Sequence, residues 1–343
     1  MKSQLTNILQ EAFDKEIASS FSLFVGQTDK KNSDDLCLHL GCTSKNPLVQ
    51  TNDYTLYDLA SITKILGTTM AIAQAMIEKR FSLQTTPFIE WPNITIKNLL
   101  AHNAGFVAHK KFYDEPEIAS LSFSEAKKYI YQKLFTESTS LTPTRLYCDL
   151  GFMLLGYLLE SIYKSNLEEV FNRLFLEQGW AFKSFSSKKN SMYYPSVAPT
   201  GKCDIRKKNV QAQVHDLNCY YMGGLAGHAG LFGDILHVAQ AARYFLSSYQ
   251  NPQKPLQKVL HYFITNRLGF DHRTSNGSTK AFSRLAFGHF GFTGTSLWVD
   301  PNLCNKNGAF VVLLTNRVIK SNNQDGIFWL RNKIHTYVAN SLT

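Results

Sequence analysis

The sequence predicts a mixed α/β (α+β) fold, in which an antiparallel sheet assembled from both chain ends is flanked by helices. Near the N-terminus, alternating residues 21–26 and 36–42 flank a polar turn at 30–33 and predict a hairpin. Near the C-terminus, residues 292–299 and 310–315 predict neighbouring strands joined by a turn. The segment between these ends is mostly helical in pattern, so we expect an inserted helical part.

We expect a single domain over residues 1–343. Its α/β part covers about 1–79 and 226–343, and its helical part about 80–225. Residues 150–162 are apolar on nearly every side and predict a core helix. The remaining helix signals are Thr95 as a cap, Ser122 with Glu125 as a capping box, and a closing amphipathic pattern at Ile327, Leu330, Ile334 and Val338.

The chain has a formal net charge of +10, from 36 Lys and Arg against 26 Asp and Glu. The basic residues are spread along the sequence, which favours a solvated basic surface over a nucleic-acid site. This charge suits an anionic small-molecule substrate. Oligomeric state leaves no signal in the sequence.

The composition predicts no metal and no cofactor. The six cysteines have no Cys-x-x-Cys spacing, and we see no clustering with histidines of the kind that zinc sites show, which predicts reduced thiols. For His102, His215 and His228 we expect structural hydrogen bonds in loops.

The N-terminus has an amphipathic pattern in place of a signal peptide, and no run of about 18 apolar residues is present. We therefore expect a cytoplasmic protein with no transmembrane segment. The apolar residues at helical spacing are Leu5, Ile8, Leu9, Ala12, Phe13 and Ile17.

A serine followed three residues later by a lysine is a candidate nucleophile, because both side chains lie on one face of a helix. The pattern occurs at Ser61, Ser124, Ser161 and Ser186. Only Ser61 begins an apolar helix, in the segment 58–64 (DLASITK), and the other three are expected at the surface. Burial would lower the pKa of Lys64 and allow it to accept a proton.

At these residues the chain resembles the serine β-lactamase and penicillin-binding protein family, especially the class C-like (peptidase family S12 type) branch with its DD-peptidases, esterases and muropeptide amidases. Further resemblance lies in residues 94–105 (ITIKNLLAHNAG), 214–216 (VHD), 223–232 (GGLAGHAGLF) and 314–317 (LTNR). The resemblance implies a β-lactamase/transpeptidase-like fold and acyl-enzyme chemistry at Ser61.

The family's Tyr-x-Asn motif is best matched by Tyr147-Cys148-Asp149, since Tyr249-Gln250-Asn251 does not precede the apolar helix. The resemblance implies that Tyr147 shares the general-base role with Lys64. Asp149 departs from the motif, because a carboxylate cannot donate a hydrogen bond to a substrate carbonyl. A buried tyrosine beside a helix cap is the structural alternative.

The family's Lys-Thr-Gly or His-Thr-Gly motif corresponds to His289-Phe290-Gly291. The resemblance implies that His289 supplies a positive or hydrogen-bonding group near Tyr147, and that the backbone N–H groups of Ser61 and Phe292 form the oxyanion hole. Phe290 lacks the usual hydroxyl, which disfavours β-lactam turnover. Asp149, Gly291 and Thr293 are the expected substrate-binding residues, and Gly294 either faces substrate or relieves packing.

The leading hypothesis is acyl-enzyme hydrolysis of an amide in a peptidoglycan-derived (muropeptide) or β-lactam-like substrate, with an anionic cell-wall fragment as the expected ligand. A carboxylesterase on the same scaffold is the second hypothesis. A binding or structural protein without turnover is the third.

Overall fold

The computed structural model describes residues 1–28, 35–140, 144–187, 194–319 and 324–343, so the turn expected at 30–33 lies outside the described residues. The strands are β1 Ser20–Gln27, β2 Leu36–Lys45, β3 Leu48–Gln50, β4 Tyr57–Asp58, β5 Lys183–Ser184, β6 Gly201–Cys203, β7 Lys208–Val210, β8 Leu231–Gly233, β9 Asp271–His272, β10 Phe287–Phe290, β11 Ser296–Asp300 and β12 Ala309–Thr315. The α-helices are α1 Lys2–Asp14, α2 Met70–Ile77, α3 Ile96–Leu100, α4 Phe123–Phe135, α5 Asp149–Tyr163, α6 Leu167–Gln178, α7 Leu217–Tyr221, α8 Ile235–Gln250, α9 Pro255–Thr265 and α10 Gln324–Leu342.

The main sheet has seven strands in the order β3-β2-β1-β12-β11-β10-β9, and all its pairings are antiparallel. The predicted sheet built from both chain ends and the predicted N-terminal hairpin are thus confirmed. At the centre, β1 pairs with β12 so that Leu23 lies opposite Leu313. Because β12 is covered on both faces, its sequence is a continuous apolar run without alternation.

The predicted strand 292–299 is wrong at its start. Strand β11 begins only at Ser296, and a turn at 292–295 joins it to β10, which the sequence pattern did not reveal. The turn forms because Gly294 has a φ of +99°, and the hydroxyls of Thr293 and Thr295 donate to the Asp58 and Leu59 carbonyls. These β-branched residues serve the turn and not a strand.

Helices cover both faces of the sheet. On one face, α1 and α10 pack over alternating residues of β1 and β12, such as Leu23 and Val311. On the other face, α8 packs over β1 and β12, and α9 packs against α8 and α2 within the core that contains Phe24 and Val312. In α1 the residues Leu5, Ile8, Leu9 and Ala12 are buried as expected, whereas Phe13 is exposed.

The predicted helix that begins near Ser61 is present but irregular. A 3₁₀ turn at Ala60–Ile62 leads into a π-helical stretch at Lys64–Thr69 and then into α2. In length and hydropathy, Ala60–Ile77 resembles a membrane span, yet 78% of this window is buried inside the fold, as expected for a core helix.

Residues 80–225 contain α3 to α7, long loops and three short strands. Thr95 caps α3, although this helix ends at Leu100 and does not reach Gly105. The predicted capping box of Ser122 and Glu125 begins α4, and the predicted core helix is α5.

Asn316, directly after β12, ties the two chain ends together through a buried amide. Its Oδ1 accepts from the backbone N–H groups of Ser19 and Ser20 at 3.1 and 3.0 Å. Its Nδ2 donates to Ser19 Oγ and to the Pro199 carbonyl, both at 2.9 Å. Every polar atom of this side chain is therefore used inside the fold.

We expect Asn316→Ala to lower the free energy of unfolding by about 2 to 4 kcal/mol, since it leaves the buried N–H of Ser20 and the partly buried N–H of Ser19 without an acceptor. Urea denaturation measures the loss. The control is Asn302→Ala at an exposed position, which should change stability by about 0.5 kcal/mol or less. A loss below about 1 kcal/mol at Asn316 would contradict the proposed tie.

Candidate active site

Ser61 is presented by a short buried segment with tightly held backbone. The Asp58 carboxylate accepts from the Ala60 N–H at 2.8 Å and from the His215 N–H at 2.7 Å. Burial raises the pKa of Asp58 to about 6, although these two N–H groups favour the ionised form. Ala60 has a φ of +47°, a left-handed conformation that is uncommon outside glycine. The sharp turn at Ala60 leads directly into the first helical turn, where Ser61 lies.

Lys64 is fully buried and lies at the centre of the site. Its Nζ lies 2.9 Å from Ser61 Oγ, 2.7 Å from Tyr147 Oη and 2.8 Å from Asp149 Oδ1. The His228 carbonyl is a fourth, longer contact at 3.3 Å. An ammonium group has three protons to donate, and the three short contacts use all of them.

The expectation that burial would leave Lys64 with a lowered pKa is wrong. Burial does lower the pKa of Lys64, but the charges of Asp149 and Tyr147 raise it by more, so the net pKa lies above its ordinary value. Burial likewise raises the pKa of Asp149, yet the positive charge of Lys64 holds it well below its usual range. Lys64 and Asp149 thus form a buried ion pair.

Tyr147 reaches the site from the residue pair just before α5. Burial raises the pKa of Tyr147, and the charge of Lys64 and the hydrogen bonds from Lys64 and Ser61 offset only part of this rise. The net pKa of Tyr147 is about 12. The tyrosine ring packs against His102 and His289, with ring centroids 4.8 and 5.6 Å apart. Its hydroxyl therefore lies next to both Ser61 and Lys64.

His102 fixes the segment that carries Tyr147. Its Nδ1 accepts from the Cys148 N–H at 3.1 Å, and its carbonyl accepts from the Leu146 N–H at 2.8 Å. Burial, followed by the charge of Lys64, lowers the pKa of His102 to about 3, so the ring is neutral and able to accept. The histidine of the 94–105 segment thus has the structural role in hydrogen bonding that we expected.

A second layer of acids and histidines surrounds Asp149. His109 Nδ1 lies 3.2 Å from Asp149 Oδ2, and this hydrogen bond raises the pKa of His109. His228 Nε2 bonds Asp216 Oδ1 at 3.0 Å. The third predicted loop histidine, His215, lies 3.3 Å from Thr200 Oγ1 through its Nδ1.

His289 lies on β10 beside Tyr147, but it does not supply a positive charge. Burial is the main cause that lowers the pKa of His289. Its Nδ1 donates to the Phe290 carbonyl at 2.7 Å, which leaves Nε2 as a buried acceptor that has no hydrogen bond within the described part of the chain. No hydrogen bond joins His289 to Tyr147 among the described residues, and the contact is between rings.

The turn at 291–295 brings Phe292 beside the Ser61 segment. A Cβ on Gly291 would lie 2.7 Å from the Leu59 carbonyl and 2.0 Å from Thr295 Oγ1. At Gly294 it would meet Thr315 Oγ1 at 2.1 Å. Both glycines thus allow the protein to pack against itself, and the packing alternative for Gly294 is the correct one.

Two of the expected substrate-binding side chains already form hydrogen bonds within the protein. The Thr293 hydroxyl donates to the Asp58 carbonyl at 2.7 Å, and the side chain is buried. Asp149 is held by Lys64 and His109. At residues 291–295, the groups that remain available to contact a substrate are the protein backbone and the ring of Phe292, which is 45% exposed.

Two arginines line the cleft beyond this turn. Arg331, on α10, donates through Nη2 to the Gly291 and Thr295 carbonyls at 3.0 and 2.8 Å, and its guanidinium lies 4.4 Å from the Phe290 ring centre. The Arg317 guanidinium lies 4.8 Å from the Phe292 ring centre. Arg331 forms no ion pair with any carboxylate of the described residues.

These groups line one cleft of about 760 Å³. Ser61, Tyr147 and His289 line it, together with the acids Asp149 and Asp216 and the arginines Arg317 and Arg331. The volume falls in the range of sites for small molecules.

The competing motifs lie elsewhere. Ser124, Ser161 and Ser186 are exposed, as predicted. Tyr249 packs against Phe287 at a ring distance of 5.7 Å, away from the cleft.

The fold and this side-chain arrangement define a serine hydrolase of the β-lactamase and penicillin-binding type. The chain belongs to the Beta-lactamase family, whose model matches residues 36–330.

Similar proteins carry several names within this group. A Salmonella agona (strain SL483) protein, provisionally named D-alanyl-D-alanine carboxypeptidase, is 28% identical over 314 residues, covering 79% of this chain and 71% of that protein. The solved structure of EstCE1, described as a hydrolase with promiscuous acyltransferase activity, aligns with a TM-score of 0.72 at 15% identity and covers 98% of both chains. A class C β-lactamase from Rhodobacter sphaeroides aligns with a TM-score of 0.68 at 12% identity, covering 98% of this chain and 99% of that chain. The structural matches establish the fold.

The sequence left three groups of the site unassigned. His109 lies in an irregular loop with no motif, and Arg331 lies on an amphipathic helix that only its packing brings to the cleft. Asp216 lies in the 214–216 segment that resembles the family. This resemblance indicated that Asp216 lies near the site, but it did not indicate that His228 is its hydrogen-bond partner.

Asp149→Asn should shift the rising limb of kcat/KM against pH to lower pH by about one unit or more. The negative charge of Asp149 raises the pKa of both Lys64 and Tyr147, so its removal lowers both, whichever of them accepts the serine proton. The measurement is a pH profile with a 4-nitrophenyl ester.

Asp14→Asn, at an exposed position on α1, is the matched control and should leave the profile unchanged. An Asp149→Asn profile that superimposes on the wild-type one would show that Asp149 does not set the charge state of the site.

Proposed function

We propose that the protein hydrolyses an amide bond of a peptidoglycan-derived peptide through an acyl-enzyme on Ser61. The observation that carries the proposal is the convergence of Ser61 Oγ and Tyr147 Oη on Lys64 Nζ, at 2.9 and 2.7 Å, beside an open cleft. The carboxypeptidase name of the Salmonella relative supports an amide substrate.

In this mechanism Tyr147 is the general base, and Lys64 stays protonated. Since Asp149 holds Lys64 as an ammonium, Lys64 cannot accept the serine proton, but its charge favours the tyrosinate. The reactive form is the minor one in which Tyr147 is ionised, because burial keeps the pKa of Tyr147 at about 12. In this form the Ser61 proton passes to the tyrosinate oxygen while Oγ attacks the carbonyl carbon. The ammonium next to both oxygens stabilises the negative charge during this transfer.

The acyl-enzyme then forms and breaks down with the same tyrosine. Tyr147 gives its proton to the leaving nitrogen as the C–N bond breaks. Water next loses a proton to Tyr147 and attacks the ester, and the proton returns to Ser61 Oγ as the acid leaves. For the tetrahedral oxyanion we propose the N–H groups of Ser61 and Phe292 as donors, because the 291–295 turn abuts the Ser61 segment.

We further propose that the substrate carries a carboxylate that faces Arg331 and Arg317. Phe290 removes the hydroxyl that relatives place at this position, while its ring supports the guanidinium of Arg331. Arg331 is anchored to the same turn that carries Phe292, so its charge lies close to the reacting carbonyl. A C-terminal carboxylate one residue beyond the scissile bond fits this arrangement, as does the net charge of +10.

An esterase is the second candidate, favoured by the aromatic lining of the cleft. Phe292 and Phe328 are 45% and 48% exposed there, and such surfaces suit an apolar acyl group. A higher kcat/KM on short 4-nitrophenyl esters than on every muramyl peptide would favour this candidate over the amidase.

Ser61→Ala should lower kcat/KM by about 10³-fold or more on any substrate of the enzyme, because no other group forms the acyl intermediate. Intact-mass measurement after incubation with a fluorophosphonate should show one adduct on the wild type and none on Ser61→Ala. Ser124→Ala, at an exposed position with the same motif, should be labelled like the wild type. A Ser61→Ala protein that retains the wild-type rate on every amide and ester would overturn the assignment.

Arg331→Gln should selectively weaken the use of substrates that carry a carboxylate. We expect the ratio of kcat/KM for a D-alanyl-D-alanine peptide to that for its C-terminal amide to fall by about 10-fold or more, as for a lost charged hydrogen bond. Arg284→Gln, at an exposed site, is the control. An equal loss on both substrates would indicate a damaged turn and count against carboxylate recognition.

A further inference from the structure

Three side chains of different chemistry meet outside the cleft, beside β1 and β2. The Cys37 Sγ atom lies 3.4 Å from His39 Nε2 and 3.5 Å from Asp53 Oδ1, and His39 Nε2 lies 2.9 Å from Asp53 Oδ1. Cys37 and His39 are two residues apart on β2 and so share one face, while Asp53 comes from the loop after β3. Neither the catalytic groups nor the cleft lining includes any of them.

The spacing of the three atoms matches the ligand set of a metal ion. Tetrahedral zinc with sulfur, nitrogen and oxygen ligands at their usual bond lengths separates these atoms by about 3.3 to 3.6 Å. Two of the three observed distances lie in this range. The shorter distance, between His39 and Asp53, is that of a hydrogen bond, which a metal ion would replace.

The geometry differs from that of a cysteine protease triad. A triad uses both ring nitrogens of the histidine, one toward the nucleophile and the other toward the acid. Here the same nitrogen, Nε2, faces both Cys37 and Asp53. All three donor atoms therefore lie within 3.5 Å of one another.

The second ring nitrogen of His39 forms a hydrogen bond within the protein, as the non-coordinating nitrogen of a metal-binding histidine usually does. Its Nδ1 lies 2.9 Å from Ser22 Oγ, so the ring can donate there and leave Nε2 free to coordinate. Ser22 Oγ in turn lies 3.2 Å from the hydroxyl of the buried Tyr57, which precedes Asp58. The ring orientation is thus set by buried groups, whereas the Asp53 side chain is 48% exposed and gives a metal access from solvent.

We propose that Cys37, His39 and Asp53 form a zinc site with three protein ligands and a fourth position open to water. Mixed sulfur, nitrogen and oxygen donors suit Zn²⁺ better than Mg²⁺ or Ca²⁺, which prefer oxygen alone. The proposal departs from the expectation of no metal. That expectation rested on the absence of Cys-x-x-Cys spacing and of cysteines clustered with histidines, and it overlooked Cys37 and His39 at alternate strand positions, with Asp53 added by a loop.

The test is titration of the full, chelator-treated chain with Zn²⁺ and, separately, with Co²⁺. We expect one equivalent of Zn²⁺ to bind, and bound Co²⁺ to show a near-ultraviolet thiolate charge-transfer band. Cys37→Ser should abolish that band and weaken Zn²⁺ binding by about 100-fold or more, and Asp53→Asn should weaken it by about 10-fold or more. Zn²⁺ should also raise the melting temperature of the wild type, since it binds the folded chain.

Cys42→Ser is the matched control, because Cys42 lies on the same strand outside the cluster. It should keep the band and the wild-type affinity. Unchanged hydrolase activity of the metal-free variants would show that they are folded. Absence of binding by the wild type, or equal affinity of Cys37→Ser and Cys42→Ser, would overturn the site.

Discussion

The buried ion pair between Lys64 and Asp149 is the constraint on which the site depends. A buried ammonium is costly unless it is paired, and here the nucleophile, the tyrosine and the carboxylate all hold it. The pair joins the helix that follows Ser61 to the start of α5. Since α5 packs in the main core and His102 holds the segment before it, the position of Tyr147 relative to Ser61 is set by contacts with the body of the protein.

In the proposed mechanism, the same ion pair determines which of Lys64 and Tyr147 transfers protons. If position 149 carried the asparagine of the Tyr-x-Asn motif, Lys64 would lose the carboxylate that keeps it charged. With Asp149 present, Lys64 is held as a positive charge, and in the mechanism we propose Tyr147 carries the proton transfers. In that mechanism the carboxylate oxygen of Asp149, where the motif has an amide nitrogen, determines which side chain acts as the base.

Local features of the fold and site could be predicted from sequence because they depend on short-range geometry. Ser61 and Lys64 meet since three residues separate them on a helix, and the caps at Thr95 and Ser122 follow from neighbours three residues away. The approach of Tyr147 to Lys64 crosses 83 residues, and only the family resemblance pointed to it. Whether the pKa of Lys64 is raised or lowered depends on the orientation of the Asp149 side chain, and the spacing of residues in the sequence does not reveal that orientation. Strand β10 was missed because its four residues are too few for a pattern.

The pairing of β1 with β12 gives the sheet a late step in its assembly. The contact between Ser19 and Asn316 spans 297 residues, so the central strands cannot pair before β12 has left the ribosome. Until then one edge of the N-terminal hairpin is open to pairing with other chains. The long separation of β1 and β12 along the chain therefore exposes this edge to wrong pairing for most of the time that the domain takes to be synthesised.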